Sequence, residues 1–492
     1  MKLVIKNLGA IKKKSEIDLT KRFYTFVGYN NSGKTYVSQV IWYLFSEFEK
    51  AIEFEIDNYL NKIITEDIGY YELEIKELLE VYNYTLKKYS LNLLGIINSS
   101  EIVLDLVIPF DKNTNKTALI FPNNDNVISH YFLYERVVNR NIIKISLEKL
   151  EKPFNEEEFV NYFKSYFKMI RAYDYSPHDS ENLIRILQNS GANLFHLFSE
   201  NFIPHNFFLP SSRTFLPSYY KYLSKGYEQE RKEIGEIVRK NPADVEKIKF
   251  LTKKRHTSAV DSVLDKLNSL SSKSKIKPFY IDLIADLEKL MQGSIGVENV
   301  EGIGNSEFGF KVDDKTVLEM YQTSTSVNQL TLLYLYLKYW AEESNNFLII
   351  DEPEENLHPE NQIKLLDILV RFANRNNNRV LFTTHSPLMA EAVNNHAHIT
   401  LLHEKGEDVE KIIKEHNLTI SPNNTDKDTL KHSDYATYFF NGEAIKEYPM
   451  TDFGVFFRDF KEAEDKVRNT ANILKDYIYQ TQNQAENGKE NS

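Results

Sequence analysis

The stretch TFVGYNNSGKTYVSQ, at positions 25–39, constrains this chain more than any other. The apolar run Phe23–Val27 stops at Gly28. Tyr29, Asn30, Asn31 and Ser32 follow, then Gly33, Lys34 and Thr35. After them Val37, Val40, Ile41 and Leu44 recur at helical spacing. Strand, glycine-bounded loop and helix, in that order, is the setting in which G-x-x-x-x-G-K-[ST] cradles a phosphate chain. The glycines let the backbone curl so that its N–H groups point inward, and the helix N-terminus adds the positive end of a dipole. Lys34 supplies a fixed cation to the β- and γ-phosphates, and the Thr35 hydroxyl is placed to ligate Mg²⁺.

Hydrolysis at such a loop also needs a carboxylate at the end of a second buried strand. NNFLIIDEPEENLHPENQ (345–362) supplies it, because Phe347–Ile350 runs into Asp351 and Glu352. Asp351 suits the Mg²⁺ shell, and Glu352 suits a general base for the attacking water. A second apolar run at 378–387 ends in Thr383, Thr384 and His385, with the histidine positioned to reach a γ-phosphate. Between the two runs Pro359 opens a helix with apolar Ile363, Leu366, Ile368 and Leu369. Strand, helix, strand implies a parallel crossover.

DEPEENLHP followed by TTHSP resembles the ABC/SMC-type P-loop ATPases, in the OLD-like branch that includes many phage-defence ATPases. The opening LVIKNLGAIKKKSEIDL…FVGYNNSGKT is similar to the same branch. The resemblance implies an α/β ATPase head with a mostly parallel sheet, an antiparallel β lobe and a large helical insertion. It implies that Asn356–Pro359 is the D-loop and His385 the switch histidine. It also implies a signature segment, for which TSTSVNQLTLLYLYLKYW (323–340) is the candidate, with Ser324 and Ser326 at a helix N-terminus. Relatives usually carry a glycine where Ser326 stands. ATP would then be sandwiched between two heads of a homodimer or higher oligomer. The implied role is the ATPase subunit of a two-component anti-phage system of the Septu or PARIS type, with a separate nuclease or toxin as effector. A RecF-like DNA-maintenance ATPase and a nucleotide-binding scaffold with little turnover are the alternatives.

The rest of the 492 residues divides by pattern. Residues 1–150 read as the first half of the head with its β lobe, with 46–100 mainly helical. Residues 151–300 read as a helical insertion, 301–405 as the second half of the head, 406–480 as a hairpin and helix, and 481–492 as a disordered tail. Arg213, in FFLPSSRTF, is either structural or turned to nucleotide or partner. KKRH at 253–256 reads as a solvated helix face. Asp426-Lys427-Asp428 is rejected as a Toprim-like metal site because SPNNT before it is a loop composition. His396, His398 and His403 read as surface or strand-end residues rather than ligands. Cysteine is absent, which excludes disulfides and Cys-based zinc sites, and a net charge of −11 argues against a wholly basic nucleic-acid binder. With no signal-peptide pattern and no long apolar run, a cytoplasmic location off the membrane is expected.

Overall fold

The computed structural model describes residues 2–46, 204–223, 258–299, 306–418, 420 and 430–490, together with the backbone of five strands between 70 and 155. The antiparallel lobe is built first. β1 (Lys2–Lys6) pairs antiparallel with β2 (Ser15–Asp18) on one side. On the other it pairs with β5 (Val103–Val107). The central sheet starts with β3 (Phe23–Gly28), which leads into α1 (34–46). A separate antiparallel sheet joins β4 (Tyr70–Glu74), β6 (Lys116–Pro122), β7 (Val127–Val137) and β8 (Ile142–Asn155) in the order β4-β8-β7-β6.

The central sheet holds six strands in the order β16-β15-β3-β14-β13-β9. β9 is His205–Leu209, β13 Asn346–Asp351, β14 Arg379–Thr384, β15 Tyr435–Phe440 and β16 Ile445–Tyr448. All neighbours are parallel except the β15–β16 hairpin, whose turn carries Gly442 at φ +88°. Successive residues alternate between two cores. Phe207, Leu348, Ile350, Val380 and Phe382 join the core beneath the helices. Phe208, Phe347, Ile349, Leu381, Tyr24 and Phe26 join the core shared with β1, β2 and α1. A parallel strand buried on both faces must be apolar throughout, which is why these segments read as continuous runs.

The helical side comprises α2 (Ser258–Ser269), α3 (Ile281–Met291), α4 (Thr325–Leu335), α5 (Pro359–Ala373) and α6 (Pro387–Glu404). Pro359 and Pro387 each sit in the first turn, where a missing N–H costs nothing. A small antiparallel sheet of β10 (Ser294–Asn299), β11 (Ser306–Lys311) and β12 (Val317–Glu319) precedes α4, and the β11–β12 hairpin turns at Asp313 and Asp314. α4 is buried from Val327 to Leu335 on every face, not along one stripe, and continues as a π turn over Tyr336–Trp340. Phe207 stacks on Tyr336 at 4.9 Å.

Several sequence expectations are corrected. β4 lies within the stretch read as mainly helical, and β10 within the 151–300 block read as a mainly helical insertion, whereas β9 falls where FFLPSSRTF reads as a strand leading into a loop. Residues 406–480 do not stand apart from the head, since β15 pairs with the P-loop strand itself. All six residues of YATYFF are buried, as an interior strand requires. The final helix, α7 (Arg458–Glu490), runs through most of the expected tail, where Gln, Ala, Glu and Lys are good helix formers. His396, His398 and His403 lie on α6, with His396 buried. KKRH and Asp426–Asp428 lie outside the described residues. No described helix is long and apolar enough to cross a membrane.

Candidate functional site

β3 delivers Gly28 to the point where the loop must leave the sheet. Gly28 has φ +146°, and a Cβ there would lie 2.2 Å from the carbonyl oxygen of Phe440 on β15. No other residue fits that position. Asn31 at φ +58° and Gly33 at φ +98° then curl the chain into α1. Tyr29, Asn30 and Asn31 are exposed, whereas Ser32 and Lys34 are buried. The Lys34 ammonium lies inside the loop, donating to Gly28 O at 3.2 Å and Tyr29 O at 2.9 Å. Burial pulls its pKa down from 10.5 to about 8, against the opposing pull of Glu352, Asp351 and Glu354. The Ser32 hydroxyl is buried with no hydrogen-bond partner. An orphaned hydroxyl, a desolvated ammonium and a helix N-terminus converge on one cradle, and that donor set fits a phosphate chain.

The acidic side is assembled by strand adjacency. β14 lies between β3 and β13, so Thr383 sits beside Asp351 in register. Asp351 accepts from Thr35 Oγ1 at 2.9 and 3.1 Å and from Thr383 Oγ1 at 2.5 Å. It is nearly inaccessible, and burial raises its pKa while the two hydroxyls oppose the rise. A hydroxyl and a carboxylate already in contact at a strand end suit an octahedral Mg²⁺, which takes few protein oxygens and keeps waters. Thr35 and Asp351 are the residues that would hold it.

Glu352 follows in a left-handed conformation, φ +49°. Its N–H donates to Thr383 O at 3.1 Å and Thr383 Oγ1 at 3.0 Å. Its Oε1 lies 3.3 Å from His385 Nε2. That hydrogen bond, with help from the charges of Lys34 and Arg213, holds the carboxyl below its ordinary range. The turn that carries His385 is fixed by Glu354, whose Oε1 accepts from Thr384 Oγ1 at 2.5 Å, His385 N at 2.9 Å and Ser386 N at 3.3 Å.

Lys34, Thr35, Asp351, Glu352 and His385 are therefore brought together. Ser324 and Ser326 are not part of that cluster. Ser324 caps α4, accepting from Val327 N at 3.3 Å, and lies 2.8 Å from Ser326 Oγ. Neither serine hydrogen-bonds to the loop at 28–35 within the chain, and Ser324 is exposed. Tyr29 turns outward and donates to Asp459 on α7 at 3.1 Å. Arg213 is 2% exposed and grips backbone carbonyls instead of facing a ligand. Sequence alone assigns no role to Thr383 or Glu354. Thr383 was legible as a polar residue ending an apolar strand, whereas nothing local marks Glu354 among its acidic neighbours.

Solved structures similar to the chain include an SMC head bound to the C-terminal winged-helix domain of ScpA, with 13% identity, 80% of this chain and 90% of that chain covered, and a TM-score of 0.30. Another is an SMC head with an extended coiled coil bound to the C-terminal domain of ScpA, from Pyrococcus furiosus, at 13% identity, 95% and 98% coverage and a TM-score of 0.31. A third is the SMC head domain from Thermotoga maritima, at 11% identity, 91% and 98% coverage and a TM-score of 0.27. Scores at this level add nothing to the fold read from the strand order. No curated protein matches the sequence. The family model described as AAA ATPase domain matches residues 1–390, which is most of the chain and includes the P-loop, both carboxylates and His385, and the chain belongs to that family.

Proposed function

We propose that the chain binds ATP with Mg²⁺ at residues 28–35 and hydrolyses it to ADP and phosphate. The observation that carries this reading is the three-strand junction in which Thr35, Asp351 and Thr383 share one carboxylate while Glu352 and His385 meet beside it. Lys34 and the loop N–H groups bind the β- and γ-phosphates. Bound Mg²⁺ would neutralise charge developing on the phosphate oxygens. Glu352 accepts a proton from the attacking water through its carboxylate, and His385 orients that carboxylate. Ser324 is exposed and neither it nor Ser326 hydrogen-bonds to the chain's own P-loop, which supports a role on the ATP of a second subunit in a head-to-head dimer or larger oligomer.

The experiment compares Lys34→Ala, Glu352→Gln and wild type. Lys34→Ala should lose ATP binding by calorimetry. Glu352→Gln should bind, hydrolyse poorly and accumulate nucleotide-joined oligomers in light scattering. Tight ATP binding by Lys34→Ala would refute the site.

The cellular role we propose is regulation of a separate effector, a nuclease or toxin, in anti-phage defence. This rests on the resemblance in sequence and on α7, whose Val467, Leu474 and Ile478 are all exposed and leave an apolar face for a partner. Co-purification of one defined effector from native cells, lost on deleting 461–490, would support it. A purified chain that cuts DNA unaided would refute it.

A further inference from the structure

The backbone carbonyls of Asp351 and Glu352 are held by two buried side chains, one following β9 and one in the candidate signature helix. Arg213 follows β9. Its Nη1 donates to Asp351 O at 2.5 Å and to Pro210 O at 3.0 Å, and its Nη2 donates to Glu352 O at 2.7 Å. Gln329 lies on α4, and its Nε2 donates to the same Glu352 O at 3.2 Å. The amide oxygen of Gln329 accepts in turn from the Thr214 hydroxyl. Gln329 is 1% exposed and Arg213 2% exposed. The Glu352 carbonyl thus takes two donors from two different elements.

That carbonyl belongs to a residue that needs holding. A glutamate at φ +49° is in a sparsely populated region and keeps that conformation only where its surroundings over-determine it. The N–H side of Glu352 is tied to Thr383, and the carbonyl side is tied to Arg213 and Gln329. Gln329 also stands in the same helix as the Ser324 cap, five residues on. A short helix moves as a rigid body, so displacement at its N-terminus is felt at Gln329 and passed to the Glu352 backbone.

We propose that Gln329, oriented by Thr214 and working with Arg213, is a positioning residue that ties the aim of the Glu352 carboxylate to whatever engages the N-terminus of α4. This rests on the ATPase reading above. It adds a route by which a second subunit's nucleotide, bound at Ser324 and Ser326, sets the geometry of this subunit's base. A misplacement of about 1 Å at a base can cost on the order of a hundredfold in rate, so a modest shift of one carbonyl is enough. A merely structural polar contact would instead lower folding stability and nucleotide affinity together.

The test uses the full chain with Gln329→Met, which nearly preserves volume but removes the donor, and Thr214→Val with Thr214→Ser as the conservative control. The expected result is turnover at saturating ATP-Mg that falls roughly ten- to a hundredfold in Gln329→Met. ATP affinity should stay within about threefold. Thr214→Val should show a smaller fall in turnover, and Thr214→Ser should restore it. Amide exchange of the peptide spanning 348–356 should quicken in Gln329→Met without nucleotide, because the held conformation opens more often. Turnover of Gln329→Met within about twofold of wild type overturns the proposal, as does a fall in rate matched by an equal fall in affinity. If wild type shows no Lys34-dependent turnover, the ATPase reading fails by itself. Amide exchange then decides the clamp, and unchanged exchange at 348–356 overturns it.

Discussion

Raising the pH from 7 to 9 should weaken ATP binding about tenfold through Lys34 alone. The structure buries the ammonium inside the loop against two carbonyls, which pulls its pKa from 10.5 to about 8. Glu352, Asp351 and Glu354 oppose that fall without overcoming it. If only the charged lysine holds the phosphates, apparent affinity scales with its protonated fraction in the free protein. That fraction is about nine-tenths one unit below the pKa and about one-tenth one unit above it. A phosphate's second ionisation, near a pKa of about 6, is already about nine-tenths complete at pH 7, so the ligand's charge changes little across this window. An anion favours the charged lysine, so binding above pH 8 takes up a proton and affinity falls as pH rises. The sign for stability is the reverse. Between about 8 and 10.5 the unfolded chain binds more protons at this lysine than the folded one does, so the free protein gains stability from this group as pH rises. The assay is a fluorescent ATP analogue titrated at half-unit steps from about pH 6.5 to 9.5, with Lys34→Arg as the control that stays charged throughout. Affinity independent of pH in wild type, or equal pH dependence in Lys34→Arg, would refute the buried-ammonium argument.

Glu352→Gln should leave ATP affinity nearly unchanged and slow hydrolysis by about 10²–10⁴, since the amide cannot accept a proton, and phosphate release measures it. Gly28→Ala should abolish binding and lower the melting temperature, because the added methyl meets Phe440 O at 2.2 Å on a strand that cannot retreat. Asn378→Leu should destabilise the fold by about 2–4 kcal/mol in urea denaturation. It removes the acceptor for Asn346 N at 3.0 Å and for Asn346 Nδ2 at 2.8 Å, and the donor to Tyr280 OH at 3.0 Å, yet touches no residue of the ATP cradle.

What was legible in the sequence, and what was not, divides by distance along the chain. Lys34, Asp351, Glu352 and His385 each lie within a few residues of the end of a buried strand, and a continuous apolar run announces such a strand wherever it occurs. The pattern states that the strand is buried but not what lies next to it. YATYFF therefore reads as a strand, whereas its pairing with β3, some four hundred residues earlier, has no local mark. The same limit hides the supports of the site. Arg213, Gln329 and Glu354 act only after β9, α4 and the turn at 384–386 have been folded against β13, and each resembles an ordinary surface residue until then. Arg213 shows how the misreading arises. A guanidinium suggests an anion, but here the anions are the side chains of Asp351 and Glu352, and the cation binds the backbone carbonyls of those same residues. It stabilises both carboxylates by its charge and fixes both backbones by its hydrogen bonds. Replacing Arg213 with lysine keeps the charge and removes the fork. If the fork is what matters, Arg213→Lys should cost turnover and leave ATP affinity close to wild type.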